Sequence, residues 1–237
     1  MEADGTRGQW GVVTVSAPVA LALPLRGRCR VVNSPANRVP SHGIAEFGLS
    51  YAIDLVPVGD DGLSAPRGPR SWLASEPPES FVGFGQPVHA PARGVVVWAH
   101  DGVPDGGARR APLVALGFAL TQAQRVRAGV EAVAGNHVVV ELDGGAGYLW
   151  IVHLRRGSVR VEPGTVLAIG DQLGEVGNSG NTTEPHVHLH VASSAQWRQA
   201  QALPLAFTDY RTVDPHGARG AAVATGLPRT GEIIEPA

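Results

Sequence analysis

The 237-residue sequence contains no lysine; all 19 of its Lys and Arg residues are arginine. That absence excludes any mechanism that needs a lysine. It removes a lipoyl or biotinyl carrier, although "VEPGTVLAIGDQLGEVG" (161–177) has a similar alternation of strand and Gly-rich turn. Cysteine is limited to Cys29, so neither an intramolecular disulfide nor a cysteine zinc site is available. A buried structural thiol is its expected role. The net charge of −2 offers no basic field for nucleic acid, and no long run of charge points to a membrane surface. No segment is long and apolar enough to span a bilayer. The opening "MEADGTRGQWGVVTVSAPVALALPL" begins acidic and carries prolines in its apolar part, which is not a signal-peptide pattern.

What is present is a chain with one good core and many turns. Hydrophobic residues make up 43%, which argues against global disorder, while Gly 31 and Pro 19 favour short strands over long helices. Strand-like runs recur between glycines and prolines: "YAIDLV" (51–56), "GVVVWAH" (94–100), "HVVVELD" (137–143) and "YLWIVHL" (148–154). "DGGAG" between the last two reads as a hairpin connection. The spacing predicts a mainly β, antiparallel domain over 25–192, after an N-terminal extension, 1–24. A C-terminal extension, 193–237, is expected to pack on it, with a last strand candidate in "RTGEIIEP". Two insertions interrupt the domain. Residues 57–88 read as a long loop; 102–136 begin as loop and continue into a short helix capped by Thr121 and stopped at Gly135. Loops of that length often wall a functional site.

"EPHVHLHV" (184–191) holds three of the nine histidines at alternate positions. On a strand, His186, His188 and His190 project one way and Val187, Leu189 and Val191 the other, one set facing a site and one a core. Imidazole is the commonest metal-binding side chain and the usual general base near neutral pH. A catalytic zinc takes three protein ligands and keeps one position open, so further ligands must come from elsewhere. His42 in "VPSHGIAEFG" and Asp54, the carboxylate of an otherwise apolar strand, are the candidates. A buried carboxylate between Ile53 and Leu55 needs a partner, and a cation is one. For His89, His100, His137 and His216 a structural or surface role is expected.

"GNHVVVELDGGAGYLWIVHLRRGSVRVEPGTVLAIGDQLGEVGNSGNTTEPHVHLHV" (135–191) resembles the core of the lysostaphin/LytM-type zinc metallopeptidases in the order and spacing of its motifs. The upstream "SHGIAEFGLSYAIDLV" and "GFGQPVHAPARGVVV" resemble the family's first metal-ligand region and the strand pair after it. The resemblance implies a barrel-sandwich-like β fold and Zn²⁺ held by His42, Asp54 and His188. It implies His153 and His186 as catalytic histidines, and leaves His190 on the same face as an outer-shell or groove-lining residue. The sequence departs from the family at one point: eleven residues separate His42 from Asp54, where the family has three. Glu46, at the usual interval, is a rival ligand to Asp54.

The activity implied is hydrolysis of peptide cross-links in bacterial peptidoglycan, which places the substrate in the cell envelope or outside the cell. Zinc polarises a carbonyl and lowers the pKa of water to about 7. One neutral histidine takes a proton and another hydrogen-bonds the developing oxyanion. The competing possibility is an inactive relative that binds or regulates cell-wall hydrolases; such relatives lose metal ligands, and here every position is filled.

Overall fold

The computed structural model describes residues 17–214 and 216–237. Residues 1–16, which make up most of the N-terminal extension and of the opening segment without a signal-peptide pattern, lie outside the described residues. The β-branched runs form strands. In chain order they are β1 (Val19–Leu21), β2 (Cys29–Val32), β3 (Ile53–Pro57), β4 (Pro87–His89), β5 (Gly94–His100), β6 (Asn136–Leu142) and β7 (Tyr148–Leu154). They continue with β8 (Val166–Leu167), β9 (Gln172–Glu175), β10 (Val187–Ala192), β11 (Ala202–Leu203), β12 (Leu205–Val213), β13 (Arg219–Gly226) and β14 (Ile233–Pro236). Among the described residues, one sheet runs β1-β12-β14-β2-β3-β10-β7-β6-β5-β8, with β11 beside β10 and β13 beside β12. Its pairs are antiparallel except β1 with β12, and β4 pairs with β9 in a separate ribbon. The protein is mainly β, as the strand spacing predicts.

The central strands β3, β10 and β7 bury one face in the main core. Ile53, Leu55, Leu149, Ile151, Val187, Leu189 and Val191 are all fully buried there. Alternation sends the intervening residues to the other face. Register then fixes their neighbours: His188 stands opposite Asp54 on one side and Val152 on the other, and His190 opposite Trp150. Directly opposed residues of an antiparallel pair share a face and touch.

The insertions are more structured than the sequence predicts. Within 57–88 lie α1 (Pro69–Leu73) and a 3₁₀ turn, Pro78–Ser80. Within 102–136 three helices follow one another, α2 (Pro112–Leu120), α3 (Gln122–Ala128) and α4 (Val130–Ala134). The expected single helix capped by Thr121 is corrected. Helical structure begins at Pro112, whose fixed φ suits a first turn. Thr121 Oγ1 donates to Phe118 O at 2.9 Å, so its side chain caps nothing. Glu76 and Ala108 exchange backbone hydrogen bonds of 2.9 and 2.8 Å, and the Arg110 guanidinium forks onto the Glu76 carboxylate at 2.8 and 2.7 Å, tying the two insertions together. Beyond 192 the chain adds β11 to β14 to the same sheet; β12 and β13 are not predicted by the sequence reading. In β12, Asp209 adopts φ 52°, so the buried Phe207 and Tyr210 fall three apart and the period of two is lost. Among the described residues no helix is long and apolar enough to cross a membrane.

Cys29 begins β2 with no exposed surface, and burial pushes its thiol from 9.0 up to about 12. Between those values the unfolded chain has lost a proton that the native chain keeps. Stability therefore falls as pH rises through that window, by up to about 1.4 kcal/mol per pH unit. Native protein near neutral pH should not react with 5,5′-dithiobis(2-nitrobenzoate), and denatured protein should release one equivalent of thionitrobenzoate. Stoichiometric labelling of the native form would contradict this placement.

Candidate metal centre

Asp54, on β3, points both carboxylate oxygens into a cluster of imidazoles. Oδ1 lies 2.8 Å from His188 Nδ1 and 3.5 Å from His186 Nε2. Oδ2 lies 3.1 Å from His42 Nε2 and accepts a 2.8 Å hydrogen bond from Asn33 Nδ2. The ligand atoms of His42, Asp54 and His188 all fall within 4.8 Å of one another, and so do those of a second, overlapping set, His153, His186 and His188. Glu46 belongs to neither set; it is exposed on the 3₁₀ stretch Glu46–Tyr51.

Each histidine has one nitrogen engaged away from the centre. Ser41 Oγ donates to Ala52 O at 2.7 Å and accepts from His42 Nδ1 at 3.0 Å, which turns His42 Nε2 toward Asp54. His153 Nδ1 donates to Ser179 O at 2.8 Å, and His186 Nδ1 to Glu184 O at 2.7 Å with Thr182 Oγ1 3.1 Å away. Both therefore present Nε2. His188 Nε2 stands 3.3 Å from His190 Nδ1. Such outer contacts fix ring orientation and tautomer.

His153 reaches this face through a bulge. Between the pairs Val138 with Ile151 and Asn136 with Leu154, two residues of β7 oppose one of β6. His153 takes φ 65°, a left-handed conformation costing about 1–3 kcal/mol for a residue with a side chain. Ile151 and Leu154 consequently remain in the core while Val152 and His153 both face the cluster. Bulges are commonly found re-aiming a side chain beside a site.

Beyond His190 the rings continue across the sheet. His190, Trp150, His137 and His100 stack in sequence at centroid distances of 5.8, 5.7 and 5.6 Å. His190 Nε2, Trp150 Nε1 and His137 Nε2 are buried without hydrogen-bond partners. His137 Nδ1 donates to Gly135 O at 2.7 Å. An apolar pocket opens beside the cluster, walled by α3, α4, the 3₁₀ stretch and Trp197. Residues 57–88 do not line it; they meet the histidine turn instead, where Ser64 Oγ donates to Glu184 Oε2 at 2.7 Å.

Burial raises the Asp54 carboxyl, but the facing His186 and His42 and its imidazole hydrogen bonds outweigh burial and hold it well below the usual range. Burial lowers His186, and the Asp54 charge and hydrogen bond reverse this to a net rise. Burial dominates for the others. His188 is lowered, and His153 and His190 are lowered further, each also by neighbouring histidines.

The model of peptidase family M23 matches residues 118–200, the stretch that carries His153, His186, His188 and His190. This match supports the resemblance to lysostaphin/LytM-type peptidases. Among solved structures, the chain is similar to a variant of the catalytic domain of the prophage-encoded M23 protein EnpA from Enterococcus faecalis. Identity there is 19% over 52% of this chain and 69% of that one, with a TM-score of 0.34. It is also similar to the catalytic domain of lysostaphin from Staphylococcus simulans, at 17% identity over 75% and 88% of the two chains and a TM-score of 0.37. A zinc-containing peptidase from Vibrio cholerae matches at 16% identity over 59% of this chain and 46% of its own, with a TM-score of 0.30. Asn33, Ser41, Ser179 and Thr182 join the site without having stood out in the sequence. Ser41 and Thr182 have a local signal, beside His42 and in the turn before His186; Asn33 and Ser179 have none.

The imidazole directions set the acid response of metal-free protein. For His153, His188 and His190 the unfolded chain takes up a proton near 6.5 that the native chain refuses, so their contribution is lost as pH falls below that value. His186 acts the other way: its contribution is complete below 6.5 and is lost as pH rises through its raised folded value. Three such groups outweigh one, so the melting temperature of chelator-treated protein should fall between about pH 7 and about pH 5. A rise over that interval, measured by circular dichroism, would contradict the assignment.

Proposed function

We propose that the protein is a zinc metalloendopeptidase that hydrolyses peptide cross-links of bacterial peptidoglycan. His42, Asp54 and His188 hold the metal, and His153 and His186 handle protons. One observation carries this reading: the five side chains converge beside β3, β7 and β10, their inward atoms gathered around the Asp54 carboxylate and the outer nitrogens of the four histidines already engaged. The donor set fits the group. Two imidazoles and a carboxylate with an open fourth position is a common catalytic zinc arrangement. Donors about 2.1 Å from a tetrahedral ion stand roughly 3.4 Å apart, and the three here lie within 4.8 Å of one another. When bound, zinc supplies Lewis acidity toward the scissile carbonyl and makes water more acidic. Asn33 holds the Asp54 carboxylate in place, Ser41 holds His42, and His190 accepts from His188. His153 and His186, anchored through Nδ1, aim Nε2 at the same space; one takes the proton of the attacking water and the other donates to the oxyanion. The match of residues 118–200 to peptidase family M23 supports the substrate class.

Metal analysis with turnover on purified peptidoglycan tests the proposal. One zinc per chain is expected, lost in His42→Ala, Asp54→Ala and His188→Ala. His153→Ala and His186→Ala should keep zinc and lose about 10²- to 10⁴-fold in activity or more. A protein that fills with zinc and turns over nothing would instead be the binding or regulatory relative. His190→Gln should keep zinc and lose about 10- to 100-fold in activity; parent-like kinetics in that variant would remove His190 from the site.

A further inference from the structure

A second pocket, of about 270 Å³, opens where the first insertion meets the histidine turn, and Arg30, Arg67, Arg110, Trp72, Ser64 and Glu184 face it. It shares no lining residue with the apolar pocket or with the imidazole cluster. Two short paths tie it to that cluster. Cys29 and Val31 of β2 lie in the core, so alternation turns Arg30 to the face that carries Asp54. Arg30 stands opposite Val56, two residues along β3 from Asp54, or about 7 Å. From the turn, Ser64 Oγ donates to Glu184 Oε2 at 2.7 Å, and Glu184 O accepts from His186 Nδ1 at 2.7 Å. The walls are held in place. Ala65, Phe81 and Ala108 pack as a small buried cluster, and the Arg110 guanidinium lies 4.8 Å from the Phe81 ring and donates to Pro66 O at 3.1 Å.

Charge decides what the pocket takes. Guanidiniums converge on it from three separate segments, β2 and the two insertions. Glu76 answers Arg110. Among the described residues Arg30 and Arg67 pair with no carboxylate; Arg30 donates to Gly62 O, and Arg67 is exposed. Glu184, held by Ser64, is the contrary charge in the lining. Against three guanidiniums, Glu76 and Glu184 leave one positive charge in excess, in a chain whose net charge is −2. One carboxylate balances that excess, and its two oxygens match the planar fork of a guanidinium. An ammonium is repelled, and a doubly charged phosphate overshoots. The exposed Trp72 adds an apolar face for a short hydrocarbon stem. Resting on the peptidase reading, we infer that this pocket binds a carboxylate of the substrate peptide, carried within about two residues of the bond that is cut, since two residues of extended chain span about 7 Å. The chemistry agrees with a cross-linking peptide, because an amide made through a side-chain carboxyl leaves its α-carboxylate free.

The test uses zinc-loaded full-length protein and two sets of internally quenched peptides. One set carries Glu or Gln at either of the two positions on each side of the bond, and the other ends in a free or an amidated C-terminus. On one side of the bond the carboxylate should raise kcat/KM about 10-fold or more, an advantage that shrinks with added salt. Preference for Glu over Gln assigns the pocket to a side-chain carboxylate, and preference for acid over amide assigns it to a chain end. Equal rates in both sets overturn the inference even if peptidoglycan is cleaved. Arg67→Glu turns the excess charge of the pocket negative, so that variant should prefer Lys to Glu at the same position; an undiminished preference for the carboxylate overturns the inference. Should that variant not fold, Arg67→Gln should bring the ratio toward one. A second measurement needs no turnover. In chelator-treated protein, N-acetyl-alanine should shift the Trp72 indole resonance saturably, and N-acetyl-alanine amide should not. No difference between acid and amide, or inorganic phosphate binding more tightly than the acid, overturns the carboxylate site. Saturable binding of the acid with no cleavage of any substrate keeps the site and overturns the peptidase reading instead.

Discussion

Asp54 sits on a central strand with its carboxylate buried, and an unpaired charge in such a place costs several kcal/mol even after relaxation. Three imidazoles and the Asn33 amide meet that cost, and their positions follow from it. β10 must lie next to β3 so that His188 falls opposite Asp54. The loop after β2 must bring in both Asn33 and His42, and the turn before β10 must deliver His186. A divalent ion between the same groups satisfies the carboxylate better than imidazoles alone, because it adds the opposite charge that neutral rings lack. The sheet order around β3, β10 and β7 and the chemistry of the site are thus one requirement.

Much of this was legible because it is local. Alternation in "HVHLHV" separates core from site residue by residue, and Val187, Leu189 and Val191 are indeed in the core. The single carboxylate in "YAIDLV" stood out for the same reason, and Asp54 faces the cluster while Glu46 does not. What could not be read depends on pairing between distant segments. Asn33 reaches Asp54 only because Val32 pairs with it. Ser179 serves His153 through its backbone carbonyl, which any residue type would supply. β12 hid its period of two behind Asp209, and β13, rich in exposed alanine and glycine, has little strand propensity to read.

The site also carries unfavourable terms. Three buried ring nitrogens in the stack from His190 to His137 lack partners, at about 1–3 kcal/mol each, and His153 holds a strained backbone. The apolar faces of β3, β7 and β10 offset this by burying large aliphatic side chains completely. The second insertion, clamped to the first through Glu76, Ala108 and Arg110, adds a wall where a free loop would have to be ordered on binding.

The bulge in β7 makes chain length set where His153 stands. Because one additional residue turns His153 toward the cluster while Leu154 returns to the core, removing a residue such as Val152 would do more than shorten the strand. It would restore strict alternation, with His153 directly after Ile151 and still on the cluster face, and would draw the imidazole back along the strand by one residue, about 3.3 Å, away from its partners. Insertions and deletions, which sheets usually absorb in their loops, thus become the changes by which this scaffold could gain or lose reactivity in one step, without altering any functional residue.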